Sequence, residues 1–129
     1  MNRTIKMVRT LVHWRLRMQL LHTIVKDNIL ILKPAGRMDI ERAREFEIAI
    51  AELLKGKKFN VILDMTDVEY VSSSYMCAII SLKKNIFNDN GEFRVCNPNA
   101  FCKRIIEIVQ LDKLVEIYPT IQDAIASIE

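Results

Sequence analysis

Glycine is scarce in this 129-residue chain: Gly36, Gly56 and Gly91 are all there are, and no two are close together. Loops that cradle phosphate need clustered glycines so that backbone amides can approach the anion, so GxGxxG and P-loop nucleotide binding are excluded. Histidine is scarcer still, with His13 and His22 only; neither has a partner at metal-ligand spacing, and both read as structural. Cys77, Cys96 and Cys102 are odd in number and form no CxxC pair, which argues against a disulfide framework or a zinc site. Buried thiols of a cytoplasmic protein are the expectation. No apolar run is long enough to span a membrane. His13, Arg15 and Arg17 interrupt what would be the apolar core of a secretory signal.

Acidic residues are absent from the first 17 positions, which carry Arg3, Lys6, Arg9, Arg15 and Arg17. The net charge of +3 is therefore local: of 19 Lys and Arg, 14 remain in residues 18–129 against 16 Asp and Glu. The body of the protein is not a basic nucleic-acid binder. Residues 1–17 are expected to be a basic extension, disordered or upstream of a start at Met18. They can also be drawn as an amphipathic helix with Val8, Leu11, Val12 and Trp14 on one side, and only this segment is suited to contact a membrane surface.

Regular patterning begins near Met18. LLHTIV and ILIL flank Lys26-Asp27-Asn28 and predict a β-hairpin whose second strand ends at Pro34 and Gly36. Asp39 is placed to cap a helix with Ile40, Ala43, Phe46, Ala49, Ile50, Leu53 and Leu54 on its apolar side. FNVILDM is an apolar strand of the kind covered on both faces. A second helix carries Met76, Ile79, Ile80, Leu82, Ile86 and Phe87, followed by the strand FRVC. Asn97-Pro98 predicts a cap and first helical turn, LVEIY a last short strand, and Thr120 with Asp123 a capping box. The expected fold is α/β: about five strands in a mixed sheet with four helices, in the order β-β-α-β-α-β-α-β-α.

Asp64 stands at the carboxyl end of the buried strand, where some folds accept a phosphoryl group. No acidic cluster at the end of an earlier strand is present to hold Mg²⁺. Asp64 is expected to order its loop by binding amides near Thr66. Ser72, Ser73 and Ser74 lie where a turn enters the second helix. There is no GxSxG elbow and no base beside them, so none is an activated nucleophile. Ser72 is expected to cap the helix, which accounts for one serine of three.

VILDMTDVEYVSSSYMCAIISLKK resembles the central signature of the bacterial STAS-domain, anti-sigma-factor antagonist family: strand, Asp, turn, Asp-Ser-Ser-Gly-Leu, helix. GRMD (Gly36 to Asp39) is similar to that family's Gly-x-hydrophobic-Asp before its first helix. The stretch from Cys96 to Ile125 resembles its ending of helix, Leu-Asp-Lys, short strand and final helix. The resemblance covers residues 18–129, read as one STAS-like domain. It implies a non-enzymatic, cytoplasmic regulatory module without a cofactor of its own. Its partners would be an anti-sigma factor serine kinase, which supplies ATP and Mg²⁺, and a serine phosphatase. Position by position, the phosphorylated serine of the family is Ser73, and the partner-binding surface becomes Arg37, Met38, Asp39, Ser72, Ser73, Ser74 and Tyr75. The family's aspartate is Ser72 here and its glycine is Tyr75, an aromatic ring expected at the surface. The alternative implied by the same likeness is a STAS scaffold that is never phosphorylated, or an accessory subunit of a signalling or membrane-transporter complex.

Overall fold

The unbroken apolar run Val61-Ile62-Leu63 demands cover on both faces of its strand. The computed structural model describes residues 5–8, 20–25, 28–55 and 58–128. Its elements are β1 (Ile5–Val8), β2 (Leu20–Val25), β3 (Ile29–Met38), α1 (Ile40–Leu54), β4 (Asn60–Asp64), β5 (Asp67–Val71), α2 (Ser73–Asn88) and β6 (Phe93–Cys96). Then follow α3 (Ala100–Ile108), a 3₁₀ turn at Leu111–Lys113, β7 (Glu116–Tyr118) and α4 (Ile121–Ile128). Val61 and Leu63 pack into the cluster built with α1, α2 and α3, whereas Ile62 packs on the other side with Ala124 of α4. All three side chains are fully buried.

The strand order is β1-β2-β3-β4-β6-β7, with β5 paired to β3. The β1–β2 and β2–β3 pairs are antiparallel, and every pair from β3 onward is parallel. The expected order of strands and helices holds, with two strands added. Ile5–Val8 lies antiparallel to β2, so these four residues are a strand where a disordered extension or a helix was expected; the free edge of β2 supplies their hydrogen-bond partner. Expectations for Leu11, Val12, His13, Trp14, Lys26, Asp27 and Gly56 lie outside the described residues.

The second addition, β5, changes how β3 ends. Pro34 and Gly36 do not stop β3, which continues to Met38 because β5 offers it a new partner. The β3–β4 ladder runs to Leu32, and the β3–β5 ladder begins at Ala35; Pro34, with no N–H to give, sits in the gap. Gly36 has φ of 95°, and the register slips between it and Arg37. β5 itself leaves β4 through a bend fixed by Asp64. One Asp64 carboxylate oxygen accepts from the Thr66 amide (3.1 Å), the Thr66 hydroxyl (2.6 Å) and Asn97 Nδ2 (3.2 Å). The loop-ordering role expected of Asp64 is what the geometry shows.

Helix patterning holds in outline. Ala43, Phe46, Ala49 and Ile50 of α1 are buried, as are Met76, Ile79, Leu82 and Ile86 of α2. Ile40 and Phe87 are instead 65% and 67% exposed, because each lies at a helix end beyond the packed face. The third helix is capped by Asn99, whose side chain accepts from Cys102 N at 2.7 Å. Asn97, the expected cap, is in left-handed backbone conformation with its amide turned toward Asp64. Thr120 caps as expected, its hydroxyl accepting from Asp123 N at 3.0 Å.

Gly36→Ala is expected to lower stability by about 1–2 kcal/mol, the cost of forcing an L-residue into that φ region. A Cβ there would meet nothing closer than Arg42 Nη1 at 3.8 Å, so the loss would be conformational rather than steric. Urea unfolding measures it; an unchanged midpoint would contradict the left-handed bulge.

Candidate functional site

Two helices start side by side because two strands end side by side. Met38 pairs with Val71 at the last rung of the β3–β5 ladder, and the Ser72 amide then donates to Met38 O at 3.0 Å. From this junction α1 leaves through Asp39 and α2 through Ser72. The Asp39 carboxylate accepts from Arg42 N at 3.0 Å, and Ser72 Oγ accepts from Tyr75 N at 3.1 Å. Each cap satisfies an amide that the helix cannot. Ser73 is the first residue of α2 and is exposed; Ser72 and Ser74 are half-buried. The first turn of α2 holds no acidic residue.

Of the seven residues expected to form the surface, Arg37, Asp39 and Ser73 are exposed there. Met38 and Tyr75 are corrections, since both side chains are fully buried. Met38 alternates inward on β3, opposite to Arg37, and joins the core with Val71. Tyr75 points between α1 and α2, its ring 4.9 Å from that of Phe46 at 56°. This tilted contact is worth about 0.5–1.5 kcal/mol beyond the area it buries. The Tyr75 hydroxyl has no hydrogen-bond partner among the described residues. Burial pushes its pKa above the ordinary phenol value, with Arg42 drawing it part of the way back.

Sequence reasoning missed two residues at this edge. The Arg37 guanidinium lies 4.4 Å over the Tyr70 ring, and Tyr70 stacks on Phe101 at 5.8 Å and 24°. Asn99 Nδ2 donates to Val68 O at 3.1 Å, tying the start of α3 to β5 and holding Phe101 in place. Tyr70 is half-buried and reads as an ordinary strand aromatic, so no local signal in the sequence marks it.

Elsewhere the chemistry is sparse. Cys96 and Cys102 are buried as expected, but Cys77 is exposed because it falls on the outer side of α2. The Cys96 thiol is pushed up to about 12, first by burial and then by the neighbouring Asp64 carboxylate, which leaves it protonated. No group of three His, Cys, Asp or Glu among the described residues is placed to hold a metal ion. No described helix is long and apolar enough to cross a membrane. A groove of about 260 Å³ runs between α1 and α2, lined by Phe46, Ile50, Leu54, Phe59, Leu82 and Ile86, away from Ser73.

A junction of two capped helices over a β-strand crossover, with a serine at the start of the second, can be compared with known proteins. The STAS domain family profile matches residues 21–124. The chain belongs to the STAS domain family. It is 30% identical over 105 residues to a Thermotoga maritima protein named "Putative anti-sigma factor antagonist", covering 81% of this chain and 93% of that one. A crystal structure of the Thermotoga maritima protein aligns with a TM-score of 0.76 and 31% identity, over 83% of this chain and 92% of the other. The anti-sigma-F factor antagonist RsfB of Mycobacterium tuberculosis is 22% identical over 102 residues, 79% of this chain and 83% of that protein.

This STAS domain thus places a large buried ring where the resemblance expects glycine. Tyr75→Phe is expected to raise stability by about 1 kcal/mol, since it deletes a buried hydroxyl without a partner. Tyr75→Gly should cost at least about 3 kcal/mol through the cavity left beside Phe46. Thermal and urea unfolding of the two variants decide it; destabilisation by Tyr75→Phe would mean that the hydroxyl is satisfied after all.

Proposed function

We propose that this STAS domain is an anti-sigma-factor antagonist, a non-enzymatic binding module switched by phosphorylation of Ser73. Its partner is a histidine-kinase-like anti-sigma factor, which supplies ATP and Mg²⁺; a serine phosphatase reverses the mark. The observation that carries the reading is the exposure of Ser73 on the first turn of a helix whose cap is made by its neighbour. Ser72 and Ser73 then have separate tasks. Ser72 is occupied by the Tyr75 amide, and Ser73 is left for a visiting kinase.

Charge explains how a switch operates here. A phosphate adds about −1.5 to −2 charges. At the start of α2 this is mildly favourable within the domain, by about 0.3–1 kcal/mol from the helix dipole. With Ser72 in place of the family's aspartate and no acid in the first turn, no carboxylate of α2 stands beside the new anion. Packed against a partner, the same charge becomes buried and unpaired, which costs about 3–5 kcal/mol. The interface penalty is larger, so phosphorylation releases the partner and leaves the fold intact.

The test uses the histidine-kinase-like anti-sigma factors of the same genome, purified, with labelled ATP. Ser73→Ala is expected to keep binding and to take up no phosphate, and Ser73→Glu to weaken binding by about 100-fold. Label entering the alanine variant would contradict the assignment. Binding indifferent to Ser73→Glu would favour a constitutive scaffold.

A further inference from the structure

Three side chains from distant parts of the chain form one column on the exposed side of the β3–β5 ladder. Arg37 of β3 covers the ring of Tyr70 on β5, and Tyr70 stacks on Phe101 of α3. Phe101 is nonetheless 48% exposed. The column adjoins the junction from which Ser73 projects, since Arg37 pairs with Tyr70 one rung before Met38 and Val71. It continues along α3, where Ile105 and Ile108 follow Phe101 at helical spacing and Ile108 is 67% exposed.

Charges of both signs are exposed around the column, with Asp39, Glu69 and Glu107 beside Arg37, Lys103 and Arg104. Arg104 stands one turn after Phe101 on α3. Neither Arg37 nor Arg104 makes an ion pair among the described residues. On β5, Asp67 is engaged by Lys33 at 3.9 Å, which leaves Glu69 as that strand's unengaged carboxylate. α3 has no acid in its first turn. A guanidinium held over an aromatic ring leaves N–H groups to donate to a carboxylate, and the ring contact favours one placement of the side chain before any partner arrives. An arginine stacked on a half-buried tyrosine that leads to an exposed phenylalanine has the composition of residues that dominate binding energies at protein interfaces.

We propose that the Arg37–Tyr70–Phe101 column is the specificity anchor of the docking face: it receives an acidic segment of the partner protein, with Arg104 as a second cation and Phe101 seated against an apolar side chain. This rests on the docking reading given above for Ser73. Ser73 would then decide whether the partner stays, and the column which partner comes.

The experiment measures, by calorimetry, the affinity of the purified histidine-kinase-like anti-sigma factor of the same genome for the full chain and four variants. Phe101→Ala and Arg37→Glu are each expected to weaken binding by about tenfold or more. Arg37→Lys should weaken it as well, because an ammonium does not reproduce a stacked planar fork. Phe87→Ala, on the exposed end of α2, should bind as the unaltered chain does. Salt should weaken the unaltered chain more steeply than Arg37→Glu. Thermal unfolding checks that the variants stay folded. Phe101→Ala and Arg37→Glu within twofold of the unaltered chain, while Ser73→Glu still releases the partner, would overturn the anchor alone. An unaltered chain that binds no such anti-sigma factor would overturn the docking reading and the anchor with it.

Discussion

The hydrogen bond from the Ser72 amide to Met38 O is the rivet on which the site depends. It extends the β3–β5 ladder by one rung and so fixes the starting points of α1 and α2 relative to each other. Without β5, β3 would end at its proline, the two helices would begin from unrelated loops, and Asp39 and Ser72 would cap them without any common frame. The features that make β5 possible are local and chemically specific. They are the Asp64 bend with its three accepted hydrogen bonds, the proline gap and the left-handed Gly36. A surface built this way is presented by strand ends and helix starts rather than by a free loop, so little order is lost when a partner binds.

Rigidity and exposure coexist here because adjacent residues divide the demands. Met38 and Val71 face the core, Arg37 and Tyr70 face outward, and Ser73 stands beside a serine already used as a cap. Tyr75 tightens this arrangement from inside. Its ring fills the space between α1 and α2 that a glycine would leave to the backbone, at the cost of a buried hydroxyl with no partner. The ring therefore belongs to the stability of the junction, and the surface chemistry is left to Arg37, Ser73 and the aromatic column.

What was legible in the sequence divides along the range of the interaction. Asp39, Ser72, Asp64 and Thr120 act on amides two or three residues away, and their roles follow from local spacing. The strand order and the helical stripes were also legible, since apolar period is a local property. Asn97 and Asn99 show the limit of that reasoning, because either could cap by spacing and only the distant Asp64 decides between them. Periodicity also gives the direction of a stripe without its edges, which is why Ile40 and Phe87 fall outside the core while Tyr75 and Met38 fall inside it. The column of Arg37, Tyr70 and Phe101 was beyond reach, since its members are about thirty residues apart and meet only after β5 and α3 have docked.

Amide hydrogen exchange at the serines measures the rivet most directly. The Ser72 and Tyr75 amides, bonded to Met38 O and to Ser72 Oγ, are expected to exchange as slowly as the core strands, while the amide of Ser73 exchanges freely. A Ser72 amide that exchanges at the rate of an unstructured peptide would mean that α1 and α2 start independently, and the proposed switch would have no rigid element to stand on.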